Sequence, residues 1–220
     1  MSVAPPFQRA RKPEEISQRR ETLLAAAAEL FDAEGPAGAG LNAIAARAGF
    51  TKSNVYRYFE SREQVLLELF RDEFGQLVDV LEPAIAAQSP GDVPGLAETI
   101  SSTFLARPRC CELISILSST LEQNVSEETI ADTKTFMNNQ TARIIAALAA
   151  RLPGATPADC GWAIAMIGSL LAGMWPGANP PPAARAVLAR PEFEHLRVVP
   201  ARDLKRAAIA LLTSIAQGRV

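Results

Sequence analysis

Residues 40–62 of this chain concentrate side chains that can bind phosphates and nucleic-acid bases. The second half of the segment carries Lys52, Ser53, Asn54, Tyr56, Arg57 and Tyr58. A helix this short cannot bury so many polar groups, so one of its faces must lie against a surface rich in acceptors and negative charge. The major groove of DNA is such a surface and is wide enough to admit an α-helix. The segment therefore predicts a helix that contacts DNA.

The side-chain types suggest separate roles within this segment. A lysine binds phosphate as a point charge, which suits Lys52. Asparagine pairs with adenine and arginine with guanine, so Asn54 and Arg57, with Ser53 beside them, are candidates for contacts with base edges. Arg62, at the start of the next helix, could clamp the DNA backbone from outside. One alternative is a small structural helical hairpin with solvated polar residues. Another is that any one of Ser53, Asn54 or Arg57 touches only water or phosphate.

Neighbouring helices must hold this segment in place. A first helix is predicted to begin near Pro13, where proline and acidic residues favour an N-terminus, and to end at residues 35–38. Its apolar residues recur at helical spacing on one face: Leu23, Ala26, Ala27, Leu30 and Phe31. A second helix from Leu41 is predicted to end at Gly49, and Thr51 to cap a third. Ile44, Val55 and Phe59 would pack these helices against the first.

Beyond residue 60 the pattern predicts six further helices and no strand. Ser61 is expected to cap a fourth helix, whose end Pro83 should kink or thin. The later helices are predicted at residues 96–106, 109–120, 126–152, 157–175 and from Pro200, with at most one helical turn at 183–188. The fold class is therefore all-α, with about nine helices.

Length, charge and cysteine content limit the class of protein. The 220 residues suffice for one large domain or two small ones. The net charge of −2 divides into +1 over residues 1–60 and −3 over residues 61–220, which permits local nucleic-acid binding without indicating it. Three cysteines without framework spacing, and no apolar stretch after the basic N-terminus, predict a cytoplasmic protein with reduced thiols.

An uncharged stretch at residues 160–184 could be mistaken for a membrane span. Pro176 is predicted to end its helix near Trp175, which leaves fewer than the roughly 20 apolar residues that a bilayer span needs. We therefore interpret this helix as buried in the protein.

Several positions in residues 13–70 resemble the TetR family of transcriptional regulators. The similarity lies in the first helix at residues 23–35, in Ile44-Ala45 and Ala48-Gly49, and in Val55-Tyr56, Phe59 and Ser61-Arg62. The resemblance implies a helix-turn-helix DNA-binding domain over residues 13–60 and a ligand-binding and dimerisation domain over residues 61–220. We expect residues 1–12 to form a flexible arm that offers Arg9, Arg11 and Lys12 to phosphates.

The resemblance also extends the set of DNA contacts. Tyr56 and Tyr58 stand at the family's phosphate-contacting aromatic positions, although Tyr58 replaces a common histidine and Glu60 a common proline. Gly40 stands where a threonine commonly caps the second helix, and Asn42 is expected to compensate for the missing hydroxyl. The complete predicted DNA-binding set is Asn42, Thr51, Lys52, Ser53, Asn54, Tyr56, Arg57, Tyr58 and Arg62.

By the same resemblance, the fourth to seventh helices would surround a pocket for a small effector. A mostly apolar pocket with a few polar groups suits a hydrophobic or amphipathic molecule. The predicted lining residues are Phe74, Phe104, Cys111, Ile114, Leu117, Phe136, Met137, Asn138, Trp162 and Met166. The alternative for each of them is an ordinary place in the core.

Small residues recur every four positions on the eighth helix and would let another helix approach closely. With the ninth helix they would form the two-fold, four-helix interface of a homodimer that the resemblance implies. The predicted interface residues are Gly161, Ala165, Ser169, Gly173, Leu204, Ala208, Leu211, Leu212 and Ile215. The alternative is packing within one subunit. A symmetric dimer would present two recognition helices to a palindromic operator.

These predictions converge on a sequence-specific DNA-binding transcriptional regulator, in the first instance a repressor that a small ligand releases from its operator. Activation rather than repression is left open. A second alternative is redox sensing through Cys110 and Cys111, although adjacent cysteines rarely pair and small buried cysteines are common. A third is an enzyme or carrier that uses the helical cavity.

The sequence offers no catalytic constellation, phosphate loop or zinc spacing, and its single histidine, His195, has no Cys or His cluster beside it. We therefore expect no enzymatic activity, no cofactor, no metal and no membrane partner. The expected partners are double-stranded operator DNA, a small-molecule effector and a second copy of the chain.

Overall fold

The computed structural model describes residues 13–219, and all regular secondary structure within this range is helical. The ten α-helices are α1 (Pro13–Gly38), α2 (Leu41–Arg47), α3 (Lys52–Val55), α4 (Arg62–Ala86), α5 (Val93–Leu105), α6 (Pro108–Ile116), α7 (Glu127–Ala149), α8 (Pro157–Ala178), α9 (Pro182–Leu188) and α10 (Pro200–Ala216). A π-helical turn spans Leu117–Leu121, and a 3₁₀ turn spans Pro191–Leu196. The all-α prediction is confirmed. The predicted arm, with Arg9, Arg11 and Lys12, lies outside the described residues.

The chain divides into two compact units between Leu69 and Phe70. The division falls within α4, whose first turns belong to the N-terminal unit, and lies beyond the boundary predicted at residue 60.

Apolar side chains from α1, α2 and the α3 segment form the core of the N-terminal unit. Leu23, Ile44 and Val55 are fully buried, and Phe59 is almost so. Burial of each such side chain stabilises the unit by about 1.5–3 kcal/mol relative to an exposed position. Regular helix stops at Gly35, with φ 70° and ψ −171°, a conformation that is open essentially to glycine alone. The predicted end of the first helix is confirmed.

The C-terminal unit is built around α8. This helix packs against α6, α7 and α10, and α10 also packs against α5. The inner faces of these helices contribute fully buried side chains, among them Leu96, Ile100, Leu113, Ile167 and Leu212. The helices therefore enclose one continuous apolar core.

Side-chain caps fix where three helices begin. The hydroxyl oxygens of Ser61 and Ser126 accept hydrogen bonds from backbone N–H groups three residues later, at 3.1 and 3.2 Å. At α8, Thr156 and Asp159 cap each other's backbone N–H in a reciprocal capping box. These predicted starts are confirmed. Thr51 stands at the N-cap position of α3, but its side chain makes no capping hydrogen bond.

Two predicted boundaries near the C-terminus are wrong. α8 continues past Pro176 to Ala178, because a proline in the last turn removes only one hydrogen bond of an already formed helix. Residues 182–188 form a seven-residue helix, α9, instead of at most one turn.

The extended α8 is long and apolar enough, by length and composition alone, to cross a bilayer. Its inner face, however, carries buried side chains such as Ala163, Ile167 and Leu171 and packs on three other helices, as core helices do. Its outer face exposes Trp162 and Leu170, so the prediction of a buried helix holds for one face only.

Candidate nucleic-acid interface

A tight turn at Gly49 joins α2 to α3. Gly49 has φ 72°, a left-handed conformation that costs glycine little. The N–H of Gly49 donates to the carbonyl of Ala46 at 3.2 Å, and the N–H of Phe50 donates to that of Ala45 at 2.8 Å. This pair of bonds is the Schellman motif, which satisfies carbonyls that the end of a helix leaves open. The turn thus fixes where α3 begins relative to α2.

The helical path of α3 extends beyond its one regular turn. The N–H groups of Tyr58 and Phe59 both donate to the carbonyl of Val55, at 2.9 and 3.1 Å. Val55 and Phe59 point into the core, so the opposite side of the segment faces outward. Tyr56 on that outer side is 51% exposed, although it is a large aromatic residue.

The predicted DNA-binding residues differ in exposure. Those exposed are Asn42, Thr51, Lys52, Ser53, Tyr56 and Arg57, and those half-buried are Asn54, Tyr58 and Arg62. The Lys52 ammonium lies 5.8 Å from the centre of the Tyr56 ring, a cation–π arrangement that joins the two residues on one face. The exposed side chains therefore offer two cations, an amide, two hydroxyls and an aromatic ring with a phenol group.

Arg62 has a structural role in place of the predicted backbone clamp. Its guanidinium donates to the carbonyls of Pro36 and Ala39, the latter at 3.3 Å, and lies 3.5 Å from the Glu63 carboxylate. These carbonyls lie in the connection from the kink at Gly35, near the end of α1, to the start of α2. Because its donors face the chain's own backbone, Arg62 stabilises this connection and is not free to reach around DNA as predicted.

Arg20, which is absent from the predicted set, contacts from α1 the residues that continue α3, Tyr58 and Phe59. Its Nη1 donates to the carbonyl of Tyr58 at 2.9 Å, and its Nε donates to the Glu68 carboxylate at 2.8 Å. Its guanidinium also lies 4.6 Å from the centre of the Phe59 ring. The sequence contains a signal for this role, since Arg20 stands three residues before Leu23 on the buried face of α1.

The residues predicted to line an effector pocket are spread between the core and the surface of the C-terminal unit. Phe74, Phe104, Cys111 and Leu117 are buried, and Ile114, Phe136, Met137 and Met166 are half-buried. Asn138 and Trp162 are exposed on the outer sides of α7 and α8. The prediction is wrong for these two, because helical rotation turns their side chains away from the core.

The cysteines are poorly placed for redox chemistry. All three are free and buried. Burial raises the pKa of the Cys110 thiol, and burial raises the pKa of Cys111 to about 12. The Cys111 thiol also donates to the carbonyl of Phe104 at 3.1 Å. Because the thiolate is the reactive form, this environment gives no support to the redox-sensing alternative.

Several residues predicted at a dimer interface belong to the chain's own core. Leu204, Ala208, Leu212 and Ile215 are fully buried in a single copy, where α10 packs on α5 and α8. At Gly161 an added Cβ would lie 3.2 Å from the side chain of Ile145 on α7. In a single copy the four α10 residues are thus covered by the chain's own helices, whereas Gly161 is half-buried against α7.

The other predicted interface residues lie nearer the surface. Ala165, Ser169 and Gly173 are exposed on the outer face of α8, together with Trp162 and Leu170, and Leu211 is half-buried on α10. An added Cβ at Gly173 would meet no atom within 4 Å. The outer face of α8 is thus an open surface of apolar and small residues.

Two family models match the chain. The model of bacterial regulatory proteins of the tetR family matches residues 23–69, and the model of the tetracyclin repressor-like C-terminal domain matches residues 69–219. An uncharacterized HTH-type transcriptional regulator from Mycobacterium tuberculosis is 38% identical, over 31% of this chain and 41% of that protein. The match thus spans less than half the length of this curated relative.

Solved structures show the same fold at low sequence identity. A TetR-family transcriptional regulator from Mesorhizobium loti is 17% identical, with a TM-score of 0.55, over 96% of this chain and 98% of that one. SmeT, the repressor of the Stenotrophomonas maltophilia multidrug efflux pump SmeDEF, is 21% identical, with a TM-score of 0.51, over 90% of this chain and 89% of that one. Since the two family models together match residues 23–219, the chain belongs to the TetR family of bacterial regulatory proteins.

Proposed function

We propose that this protein is a cytoplasmic, homodimeric transcriptional regulator that represses by binding a palindromic operator and leaves it when a small ligand binds. The observation that carries the proposal is the outer face of the α3 segment. Polar and aromatic side chains stand exposed there, although the backbone that bears them is fixed by Val55 and Phe59 in the core. Such a rigid, donor-rich face matches the recognition helix of a helix-turn-helix protein.

The exposure of each residue supports a division of labour at the DNA. Lys52 and Tyr56 face outward together and suit phosphate contacts, which position the protein on the duplex. Ser53 and Arg57 are exposed and suit base edges, where an arginine can pair with guanine through two hydrogen bonds. Asn54 is half-buried, so its reach toward a base is shorter than that of Arg57.

The outer face of α8 supports the proposal of a dimer. Trp162 and Leu170 are 40% and 42% exposed, and the stretch from 160 to 184 contains no charged residue. A second copy of α8 would cover these side chains in a self-complementary, two-fold contact. Two copies of the recognition segment would then be available for two half-sites of one operator.

Repression and ligand release are supported by family membership. SmeT is a repressor, and it shares this chain's fold. Release requires only that the ligand bind the form unable to hold DNA more tightly than the form that holds it. A coupling of about 1–3 kcal/mol between ligand and DNA would give a 5- to 150-fold change in operator affinity.

The test is a mobility-shift titration of the purified protein against double-stranded fragments from upstream of its own gene. We expect saturable binding to one fragment that contains a palindrome, and weaker binding as salt rises, because phosphate contacts release counterions. Arg57→Ala should weaken the shift, whereas Arg206→Ala, on the exposed side of α10, should leave it unchanged. Failure to bind any fragment of the source genome at low salt would overturn the proposal.

A further inference from the structure

A groove of 480 Å³ lies between α4 and α5 in the C-terminal unit. Val80, Ser102, Thr103, Ala106 and Arg107 line it. None of these residues is in the pocket predicted from the sequence. The volume falls within the range of about 300–1,000 Å³ that is typical of sites for small molecules.

Two side-chain hydrogen bonds join α4 to α5 and to the residues that follow α5. Arg107 donates to the side-chain oxygen of Gln76 at 3.4 Å. The amide of Gln88 donates to the hydroxyl of Thr99 at 3.0 Å. Gln76 and Gln88 are twelve residues apart on α4, which corresponds to about 18 Å along the helix axis. The groove itself is shallow and open to solvent, since Val80, Ser102 and Ala106 are exposed.

Arg107 is a cation without a matching anion at this site. Within the described part of the chain no carboxylate lies within ion-pair distance of its guanidinium, and its one side-chain contact is the neutral amide of Gln76. Three carboxylates on the adjoining stretch of α4 have other partners: Asp79 pairs with Arg143 at 2.9 Å, Glu73 pairs with Arg109 at 3.5 Å, and Asp72 accepts from Gln76 at 3.1 Å. A guanidinium has five N–H donors in a planar fork, so most of those of Arg107 are available to an anion.

The rest of the groove is uncharged, with apolar and hydroxyl groups. Val80 is 49% exposed and, with Ala106, offers apolar surface. The hydroxyls of Ser102 and Thr103 donate to the backbone carbonyls of Glu98 and Thr99, both at 2.7 Å, so they present only acceptor oxygens to the groove. An anion would be repelled by these oxygens and attracted by Arg107, which fixes the direction in which an elongated ligand lies.

We propose that this groove binds a small organic carboxylate with an apolar tail. Arg107 holds the carboxylate in place of the Gln76 amide, and the tail lies over Ala106 and Val80. The inference names the chemical class of the effector and so rests on the proposed function, but binding at the groove can be measured without DNA.

Isothermal titration of the whole protein with three probes of equal chain length tests the site. Octanoate should bind, whereas octanol and octylammonium should bind at least about tenfold more weakly, because they lack the charge that Arg107 recognises. Arg107→Gln should weaken octanoate binding by about the same factor. The matched control is Arg190→Gln, an exposed arginine outside the groove, which should bind octanoate like the wild type.

A second variant guards against a loss of fold. Val80→Asp places a negative charge on an already exposed position of the groove and should weaken octanoate binding while leaving the thermal unfolding transition in place. Equal binding of octanoate and octanol, or an Arg107→Gln variant that binds like Arg190→Gln, would overturn the proposal. If octanoate binds through Arg107 but the protein shifts no DNA, the proposed function fails while the site stands.

Discussion

At the scale of single residues, partly buried contacts of Arg20 and Arg62 with other parts of the chain stabilise the N-terminal unit. Arg20 ties the carbonyl of Tyr58 and the carboxylate of Glu68 to α1, and it covers the Phe59 ring. We predict that Arg20→Ala lowers the free energy of unfolding by about 1–3 kcal/mol, because it removes hydrogen bonds of a charged group that are partly shielded from water. Urea unfolding followed by circular dichroism measures this.

Arg47→Ala is the matched control for Arg20→Ala. Arg47 pairs with Glu29 at 3.0 Å, but both side chains are exposed, and such surface pairs contribute about 0–1 kcal/mol. If the two variants unfolded at the same urea concentration, the contacts of Arg20 would stabilise the protein no more than an exposed surface ion pair does.

Truncation of Arg57 and truncation of Lys52 should change operator binding in different ways. If Arg57 contacts a base, Arg57→Ala should cost about 1–3 kcal/mol of operator binding and relax the preference at one base pair. Lys52→Ala should instead weaken binding to all sequences alike and reduce the slope of log affinity against log salt by about one. Mobility shifts on the operator and on single-base variants, at several salt concentrations, separate these outcomes. A uniform loss for Arg57→Ala would show that Arg57 contacts only phosphate.

At the scale of elements, the caps are the features that local sequence specifies best. The N-terminus of α8 combines a Thr156 hydroxyl that accepts from Asp159 N–H at 3.2 Å with an Asp159 carboxylate that accepts from Thr156 N–H at 2.9 Å. We predict that Thr156→Ala lowers the free energy of unfolding by about 1 kcal/mol at neutral pH. Thermal unfolding of the two proteins in one buffer provides the comparison, and equal stability would mean that tertiary packing alone fixes the start of α8.

The same cap should make part of the stability depend on pH. Hydrogen bonds from the hydroxyl and N–H of Thr156 lower the pKa of Asp159 below its ordinary value. A carboxyl whose pKa is lower in the folded state stabilises the protein above its unfolded pKa, and this contribution is lost as pH falls through the folded pKa. The stability difference between Asp159→Asn and the wild type should therefore shrink in acid. A stability difference that stays constant as the pH falls through the folded pKa of Asp159 would contradict this pH dependence.

The starts of α4, α7 and α8 and the end of regular helix in α1 were predictable because their causes lie within four residues along the chain. Ser61, Ser126 and Thr156 cap as expected, and Gly35 ends the regular part of α1. The role of Arg62 was not predictable in this way, since its partners Pro36 and Ala39 are more than 20 residues away. Its position in the sequence predicted that Arg62 matters, but only the tertiary structure shows which groups its guanidinium binds.

At the scale of the whole molecule, the same limit explains why four residues predicted at the dimer interface lie in the core of a single copy. An apolar stripe on α10 satisfies helical periodicity equally well whether it packs on a partner or inside its own chain. In the structure Leu204, Ala208 and Leu212 are fully buried against α5 and α8. Among residues 13–219, the outer face of α8 leaves Trp162 and Leu170 uncovered, and this is the surface that we propose a second copy covers.

The last prediction concerns the dimer and follows from the exposed outer face of α8. If α8 forms the dimer interface, Leu170→Glu places a charge where a second copy must exclude water, and burying an unpaired charge is costly. We expect the variant to elute and scatter light as a monomer at concentrations where the wild type is a dimer. Its affinity for a palindromic operator should fall as well, since one half-site contact no longer assists the other.

Ile16→Glu is the matched control for Leu170→Glu, because Ile16 is similarly exposed, at 46%, but lies on α1. This variant should remain dimeric in light scattering, with the same helical content by circular dichroism. A Leu170→Glu protein that stays a dimer would exclude the outer face of α8 as the interface. If both variants became monomeric, added surface charge alone would account for the dissociation, and the assignment to α8 would be wrong.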